Sequence, residues 1–320
     1  MSGILALAGP TGIGKSEVAL ALAAEIPAEI VAVDSMQVYR GMDIGTGKPA
    51  KEIRRRVPHH GIDLAEPEEE FDVLRYVEAV SPAIERIRRG GRWAILTAGC
   101  GLYLRVLLRG ICDAPGKDPE VRGRLLEEAA SQGSEALHAR LAGVDPQAAA
   151  RIHPNDLRRV VRALEVFEVT GRPMTSWWAE KERNSAALGD YRIIGLTCDR
   201  DPLYSRVEAR IDSWLAAGWL EEARALAQRD LGITAREALG YRELFNHLQG
   251  RSDWAATRLL IHRNTRRYAK RQLSWFRHEP GVRWVDVQGL DPRLVAQEIL
   301  AQAPAVAQKR MAAFPLTPAA

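Results

Sequence analysis

A glycine-rich loop near the N-terminus constrains this chain more than any other feature. The apolar run "ILALA" at 4–8 leads into "GPTGIGKS" at 9–16, which fits the pattern G-x-x-x-x-G-K-[ST]. Glycines let successive backbone N–H groups turn inward, and the helix that follows adds its positive end. The residues expected to hold a diphosphate or triphosphate are Gly9, Pro10, Thr11, Gly12, Ile13, Gly14, Lys15 and Ser16.

Short apolar runs alternate with helical patterns along the rest of the chain. After 4–8 the runs that read as strands are 29–33, 93–97, 191–197 and, as an edge strand, 282–287. Alternation of this kind is typical of a parallel sheet covered by helices on both faces. We therefore predict an α/β fold with a P-loop NTPase-like parallel sheet at its core.

Strand signals vanish between 113 and 190, where only helical patterns remain. Asp118 and Pro119 read as the start of one helix, and Asn155 or Asp156 starts another that ends before Gly171. We predict an α/β core at 1–112 plus 191–290, a helical insertion domain at 113–190, and a C-terminal helix with a frayed tail at 291–320.

Composition excludes several classes. The 320 residues carry a formal net charge of +4, a mild basic excess that leans toward an anionic partner. Three widely spaced cysteines indicate a reducing compartment and no structural zinc site. With no signal peptide and no apolar run long enough to span a membrane, we expect a cytoplasmic protein. Independently of these features, we expect a monomer.

Asp34 closes the second predicted strand, at the sheet edge where ligands bind in open α/β folds. It could coordinate Mg²⁺ or act as a general base toward a second substrate. A second glycine-rich loop at 41–49 could contact phosphate or be an ordinary turn. These residues leave two enzymes open, a small-molecule kinase with Asp34 as base and a transferase that uses another diphosphate.

Several ordered segments resemble the bacterial tRNA dimethylallyltransferases. They are "GPTGIGKS", "VAVDSMQVYRGMDIGTGKP", "GCGLYLR", "IHPNDLRRVVRALEV", "ALGYRE" and "TRRYAKRQLSWFR". The resemblance implies that the loop holds the diphosphate of dimethylallyl diphosphate, which leaves as the prenyl group moves to N6 of the adenosine 3′ of the anticodon. Asp34 would then be the base, with Lys15 and Ser16 at the leaving group. Mg²⁺ would be the cofactor, held by Ser16, with Asp34 as a further candidate ligand.

The resemblance fails at two positions of the family segment "GGTGLY", where Ala98 replaces the first glycine and Cys100 the threonine, and it leaves the choice between two arginines undecided. Members of the family carry a threonine where this chain has Cys100, and a thiol donates only a weak hydrogen bond. Cys100 is nevertheless predicted to contact the substrates. Arg206 and Arg210 lie four apart on one predicted helix, and we favour Arg206 as the catalytic residue at the diphosphate. A non-catalytic RNA-binding protein stays open because of Cys100.

The expected partner is the anticodon stem-loop of tRNA. One basic stretch contains Arg158, Arg159 and Arg162. A second basic stretch, at 263–271, is followed by Trp275 and Phe276, which could stack on bases. The residues predicted to contact tRNA are Asp34, Ser35, Met36, Gln37, Cys100, Arg122, Arg158, Arg159, Val160, Val161 and Arg162.

Overall fold

The computed structural model describes residues 2–112, 114–184, 188 and 190–302. Across these residues the strands are β1 (Ile4–Ala8), β2 (Ala28–Val33), β3 (His59–His60), β4 (Trp93–Ala98), β5 (Tyr191–Thr197) and β6 (Val282–Asp286). The helices are α1 (Lys15–Glu25), α2 (Lys51–Arg56), α3 (Val73–Arg89), α4 (Gly101–Arg109), α5 (Pro119–Gln132), α6 (Ser134–Val144), α7 (Pro146–Arg151), α8 (Leu157–Thr170), α9 (Met174–Asn184), α10 (Arg200–Ala216), α11 (Trp219–Leu226), α12 (Ile233–Arg236), α13 (Tyr241–Leu248), α14 (Trp254–Arg277) and α15 (Pro292–Gln302).

All six strands pair in parallel in the order β3-β2-β4-β1-β5-β6. The predicted α/β class is confirmed, and the five predicted strands are present with ends that agree to within a residue. Strand β6 forms an edge, as predicted. The other edge strand, β3, consists of His59 and His60 alone, and two polar residues carry no apolar pattern from which a strand could be recognised.

Alternate residues of β1 enter two different cores. Ile4, Ala6 and Ala8 pack on the side of α3, whereas Leu5 and Leu7 pack on the side of α1 and α15. Successive side chains of a strand point to opposite faces, so an unbroken apolar run is what a sheet covered on both faces requires. Because β1, β2 and β4 are parallel, their carboxyl ends lie at the same edge of the sheet. The phosphate loop, Asp34 and Gly99 follow directly after these ends.

The chain divides into two compact units, Met1–Leu108 with Leu188–Ala320, and Arg109–Ala187. Helix α15 belongs to the first unit, where Val295 and Ile299 are buried in the same core as α1. The predicted frayed tail at 303–320 lies outside the described residues. No helix in the described part of the chain is both long and apolar enough to cross a membrane.

The second unit is helical, with α5 to α9 around a small core of its own. Its helix ends follow the sequence signals. The Asp118 side chain accepts hydrogen bonds from the backbone N–H groups of Glu120 and Val121, with Pro119 at the first helical position. Asp156 is the cap of α8, and Gly171 ends that helix in the left-handed conformation, with φ of 67°.

Candidate active site

The phosphate loop joins β1 to α1, with three glycines at positive φ. These angles are 154° at Gly9, 80° at Gly12 and 101° at Gly14. A Cβ on Gly12 would lie 2.9 Å from Val207 Cγ2 of α10, so a larger residue would push the loop off that helix. Gly14 is the N-cap of α1 and brings no side chain to its first turn, which leaves backbone N–H groups available to an anion.

Lys15 points back into the loop that it follows. Its Nζ donates to the carbonyl oxygens of Gly9 at 2.9 Å and Pro10 at 2.8 Å. Removal from water, followed by the nearby Arg210 cation, lowers the pKa of Lys15 to about 7, although Asp34 and Glu17 act in the opposite direction. A bound anion would favour the protonated amine, so this group is suited to a negatively charged ligand.

A cavity of about 910 Å³ opens over the loop within the first unit, a size typical of ligand sites. Its lining includes residues 11–18 of the loop and α1, residues 34–37 after β2, and both Arg206 and Arg210. The structure therefore brings the predicted acid and the predicted phosphate loop to one site. Cys100 does not line this cavity, although its neighbour Gly99 does.

Asp34 has one oxygen fixed by the backbone. Its Oδ1 accepts hydrogen bonds from the N–H groups of Met36 at 2.8 Å and Gln37 at 3.3 Å. The other oxygen, Oδ2, lies 3.0 Å from the place that a Cβ on Gly99 would occupy. Glycine at 99 thus leaves room for the carboxylate, which is partly exposed and lines the cavity, as a general base requires.

The two candidate arginines differ in their surroundings. Arg206 is exposed, whereas Arg210 is half-buried with its Cζ 4.6 Å from the centre of the Trp214 ring. Burial lowers the pKa of Arg210, while Glu17 and Asp34 favour its charged form. Arg210 therefore belongs to the same charged cluster as Lys15. Our preference for Arg206 stays a prediction, but Arg210 is the better placed of the two.

The surroundings of Cys100 favour its neutral thiol form. Burial first, and the Asp34 charge in addition, raise the pKa of Cys100 to about 11, although hydrogen bonds with the backbone N–H groups of Tyr103 and Leu102, and then with the Ser35 side chain, partly oppose them. A thiol with this pKa carries almost no thiolate near neutral pH. Cys100 is thus unsuited to act as a nucleophile.

The second glycine-rich loop is held by protein. The carboxylate of Glu222 on α11 accepts hydrogen bonds from the backbone N–H groups of Asp43 at 2.9 Å and Ile44 at 2.9 Å. A carboxylate thus occupies the position that a phosphate would need. Of the two alternatives for this loop, the structure favours an ordinary turn over a phosphate contact. The Gln37 side chain also donates a hydrogen bond to the carbonyl of Thr46 in this loop.

Helix α14 supplies a site residue that sequence reasoning missed. The Gln272 side chain is buried, accepts a hydrogen bond from the N–H of Thr11 at 2.9 Å and donates to the carbonyl of Gly99 at 2.7 Å. Tyr268, one turn earlier, also lines the cavity. Both residues lie inside the segment "TRRYAKRQLSWFR", whose many arginines indicate RNA contacts and which carries no local signal of a buried amide.

The basic residues of α14 are exposed, as their pattern predicts. The aromatic residues that follow them are not placed as predicted. Arg263, Arg267, Lys270 and Arg271 are all exposed. Phe276 is fully buried, so its predicted stacking on a base is wrong. The indole ring of Trp275 lies beneath the Arg105 guanidinium, 4.6 Å from Cζ to the ring centre.

In the second unit, α8 divides the predicted RNA contacts into two groups. Arg158 and Arg159 are exposed. Val160 and Val161 are 0% and 2% exposed in the core of this unit, so predicting them as tRNA contacts was wrong. Valines at these positions follow the apolar period of the helix, which places them inward.

Arg122 and Arg162 are held by a buried acid. Each donates to Oε2 of Glu165 at 2.9 Å, and Oε1 of Glu165 accepts the N–H of Asp118 at 2.8 Å. Burial raises the pKa of Glu165, but the hydrogen bonds from Arg162, the Asp118 amide and Arg122 outweigh it and keep that pKa below its usual value. These two arginines thus have a structural partner before any RNA arrives.

The loop fits a magnesium ion. The described residues contain no group of three or more His, Cys, Asp or Glu side chains able to hold a metal. Mg²⁺ needs none, because it usually keeps several waters and is bound by one or two protein oxygens together with substrate phosphates. The exposed hydroxyl of Ser16 and the carboxylate of Asp34 both face the cavity and suit that role.

Sequence comparison identifies close relatives. The family model described as "IPP transferase" matches residues 37–279, and "Isopentenyl transferase" matches residues 2–57. The tRNA dimethylallyltransferase of Geobacter metallireducens is 48% identical over 285 residues, which are 88% of this chain and 91% of the relative. That of Symbiobacterium thermophilum is 46% identical over 297 residues, 92% of each chain.

Two solved structures share the fold. The tRNA isopentenylpyrophosphate transferase of Bacillus halodurans superposes with a TM-score of 0.70 at 36% identity, over 96% of this chain and 97% of that one. A eukaryotic dimethylallyltransferase acting on tRNA gives a TM-score of 0.76 at 26% identity, over 99% of this chain and 81% of that one.

Proposed function

Because the chain belongs to the family of tRNA dimethylallyltransferases, we propose that it transfers the dimethylallyl group of dimethylallyl diphosphate to N6 of the tRNA adenosine 3′ of the anticodon. The observation that carries this assignment to individual residues is the shared cavity. One cavity holds both the phosphate loop, which suits a diphosphate leaving group, and Asp34, which suits an amine nucleophile.

At the donor, this chain supplies positive charge where negative charge develops. As the bond from C1 of the dimethylallyl group to oxygen breaks, its electron pair goes to the departing diphosphate. Lys15, Arg210 and the N–H groups at the start of α1 stabilise that charge. Mg²⁺, when bound, neutralises further charge on the diphosphate, with the Ser16 hydroxyl as the main protein ligand and Asp34 as a candidate second ligand.

At the acceptor, the adenine must be delivered to Asp34. The amine attacks C1, and Oδ2 of Asp34 takes the N6 proton while Oδ1 stays fixed by Met36 and Gln37. An exocyclic adenine amine is a weak nucleophile, so its position matters as much as proton removal. Because N6 of a stacked base cannot enter a cavity, the nucleotide has to leave the stack.

For the RNA backbone we propose two sets of exposed cations. Arg263, Arg267, Lys270 and Arg271 follow one face of α14 in the first unit, and Arg158 and Arg159 lie on α8 in the second. Exposed arginines and lysines contact phosphates without reading sequence, and they make affinity depend on salt.

We also infer a cytoplasmic monomer. Cys100, Cys112 and Cys198 are all free thiols, as a reducing compartment would maintain them. The kinase alternative shares Asp34 and the loop, but the relatives that match most of this chain are named for prenyl transfer.

The direct test mixes the protein with dimethylallyl diphosphate, Mg²⁺ and an anticodon stem-loop, and weighs the RNA by mass spectrometry. We expect the RNA to gain one C₅H₈ unit. Asp34→Asn keeps the fixed oxygen and loses the base, so turnover should fall about 10²- to 10⁴-fold with RNA affinity unchanged. Asp201→Asn, at an exposed residue in the first turn of α10, is the matched control and should retain full turnover.

Two results would contradict the proposal. Stem-loop binding with no release of diphosphate would identify an RNA-binding protein without prenyl transfer. Unchanged turnover in Asp34→Asn would remove that residue as the base and leave the transfer itself intact.

A further inference from the structure

A single amide joins two walls of the cavity that are far apart in the chain. Gln272 accepts a hydrogen bond from Thr11 in the phosphate loop at 2.9 Å and donates one to the carbonyl of Gly99 after β4 at 2.7 Å. Its sequence separations from these partners are 261 and 173 residues. The oxygen and the nitrogen of the amide thus each have a hydrogen-bond partner within the protein.

The wall at Gly99 is also the wall that faces the proposed base. A Cβ added to Gly99 would lie 3.0 Å from Asp34 Oδ2 and 3.5 Å from Gln272 Nε2. Gln272, which donates to the Gly99 carbonyl, and Asp34 Oδ2 therefore both lie beside the open side of the same glycine. Gln272 is 6% exposed as a residue, so the position of its side chain is set by the surrounding protein.

We propose that Gln272 is a positioning residue that fixes the distance between the phosphate loop and the Asp34 wall. This inference rests on the proposed prenyl transfer. The leaving diphosphate is held on one side of Gln272 and the base on the other, so the amide sets how closely the allylic carbon approaches N6. A displacement of about 1 Å between reacting groups can cost about 100-fold in rate.

A glutamine near an adenine site has a second possible role, because an amide can pair with N6 and N7 of adenine. The two roles predict different kinetics. A positioning residue affects kcat and leaves the binding of both substrates unchanged. A base-reading residue affects the affinity for the stem-loop, and only when the adenine carries its N6 amine.

The first variant is Gln272→Met, which keeps length and volume but removes the amide. We expect kcat to fall about 10- to 100-fold, with less than about threefold change in the KM for dimethylallyl diphosphate and in the Kd for the stem-loop. Thermal melts followed by circular dichroism identify a temperature at which wild type and variant are both fully folded. The kinetic and binding measurements are made at that temperature. The Kd is measured for the adenosine stem-loop and for one with purine riboside, which lacks the N6 amine.

The second variant removes the same hydrogen bond from its other end. The Ile13 N–H to Pro10 carbonyl contact and the positive φ of Gly12 describe a type II turn with Thr11 at its second position, where proline is favoured. Thr11→Pro thus deletes the backbone N–H that donates a hydrogen bond to Gln272. We expect it to lower kcat, and the double variant to lose no more than Gln272→Met alone.

The outcomes separate the inference from the function on which it rests. Full kcat in both variants, or strictly additive losses in the double variant, would overturn the positioning role while wild-type transfer still stands. A tenfold weaker Kd in Gln272→Met for the adenosine stem-loop only would make Gln272 a base-reading residue. If wild type transfers no prenyl group, the proposed function fails, and the positioning role fails with it.

Discussion

The two units use buried charge in opposite ways. In the first, Lys15 and Arg210 lie beside an open cavity, and removal from water lowers the pKa of each. In the second, Arg122 and Arg162 share the buried carboxylate of Glu165. The first pair lacks enough neighbouring negative charge in the ligand-free protein and therefore favours the binding of an anion. The second pair already has a carboxylate partner within the fold.

This contrast separates a binding site from a structural ion pair. A desolvated cation with insufficient negative charge around it is costly in the ligand-free protein, and a ligand recovers that cost. A cation matched by a buried acid contributes to the fold and gains less from RNA. Both kinds of arginine look alike in the sequence, so the four predictions below test where this division lies.

The largest effect should come from removing the acid of the structural pair. Glu165→Ala leaves Arg122, Arg162 and the Asp118 N–H without their shared acceptor, so the free energy of unfolding should fall by about 3 kcal/mol. Urea denaturation measures it. The control Glu128→Ala breaks a more exposed pair with Arg140 and should cost less than about 1 kcal/mol. Equal losses would show that the buried carboxylate of Glu165 contributes no more to stability than a more exposed one.

Lys15→Met should weaken the binding of dimethylallyl diphosphate by about 10- to 150-fold, because a charge-assisted hydrogen bond contributes about 1.5–3 kcal/mol. The pH dependence gives a second measurement. The free amine titrates near pH 7 and the diphosphate raises that pKa, so wild-type Kd should rise up to about tenfold from pH 7 to 8. Calorimetry should find this slope absent in Lys15→Met, and a surviving slope would assign it to another group.

Arg210→Met and Arg206→Met compare two arginines one turn apart on α10. Arg210 faces Lys15, Glu17 and Asp34, so its loss should raise the KM for the donor about tenfold or more. Arg206 is exposed, and its loss should change the KM less than about threefold. Steady-state kinetics with the stem-loop in excess decides between them. The reverse order would restore the preference drawn from sequence.

The smallest effects should come from the exposed arginines of α8. Arg158→Gln and Arg159→Gln should each weaken stem-loop binding a few-fold and reduce the slope of log Kd against log salt by about one, without loss of stability. Fluorescence anisotropy across a salt series measures both quantities. An unchanged salt slope in the two variants would remove this helix from the proposed RNA surface.

Local signals in the sequence were sufficient for much of the fold. The apolar runs gave five strands, and Asp118, Pro119 and Gly171 marked helix ends, because strand burial and helix capping depend on residues close in the chain. The phosphate loop belongs to the same class, since its glycines act on their own backbone.

Contacts between distant segments could not be read in this way. The choice between Arg206 and Arg210 depends on which turn of α10 faces the loop. Gln272 is the clearest case, because its two partners lie 261 and 173 residues away.

The sequence by itself determined a strand–loop–helix unit of the kind that suits a phosphate, with an acid at the end of the next predicted strand. Only the tertiary structure decided which charged side chains remain available to a ligand, namely Lys15 and Arg210, and which are neutralised by a buried partner, as Arg122 is by Glu165. The physical reason is that the state of a charge depends on burial and on its neighbours in space, and both are properties of the folded chain.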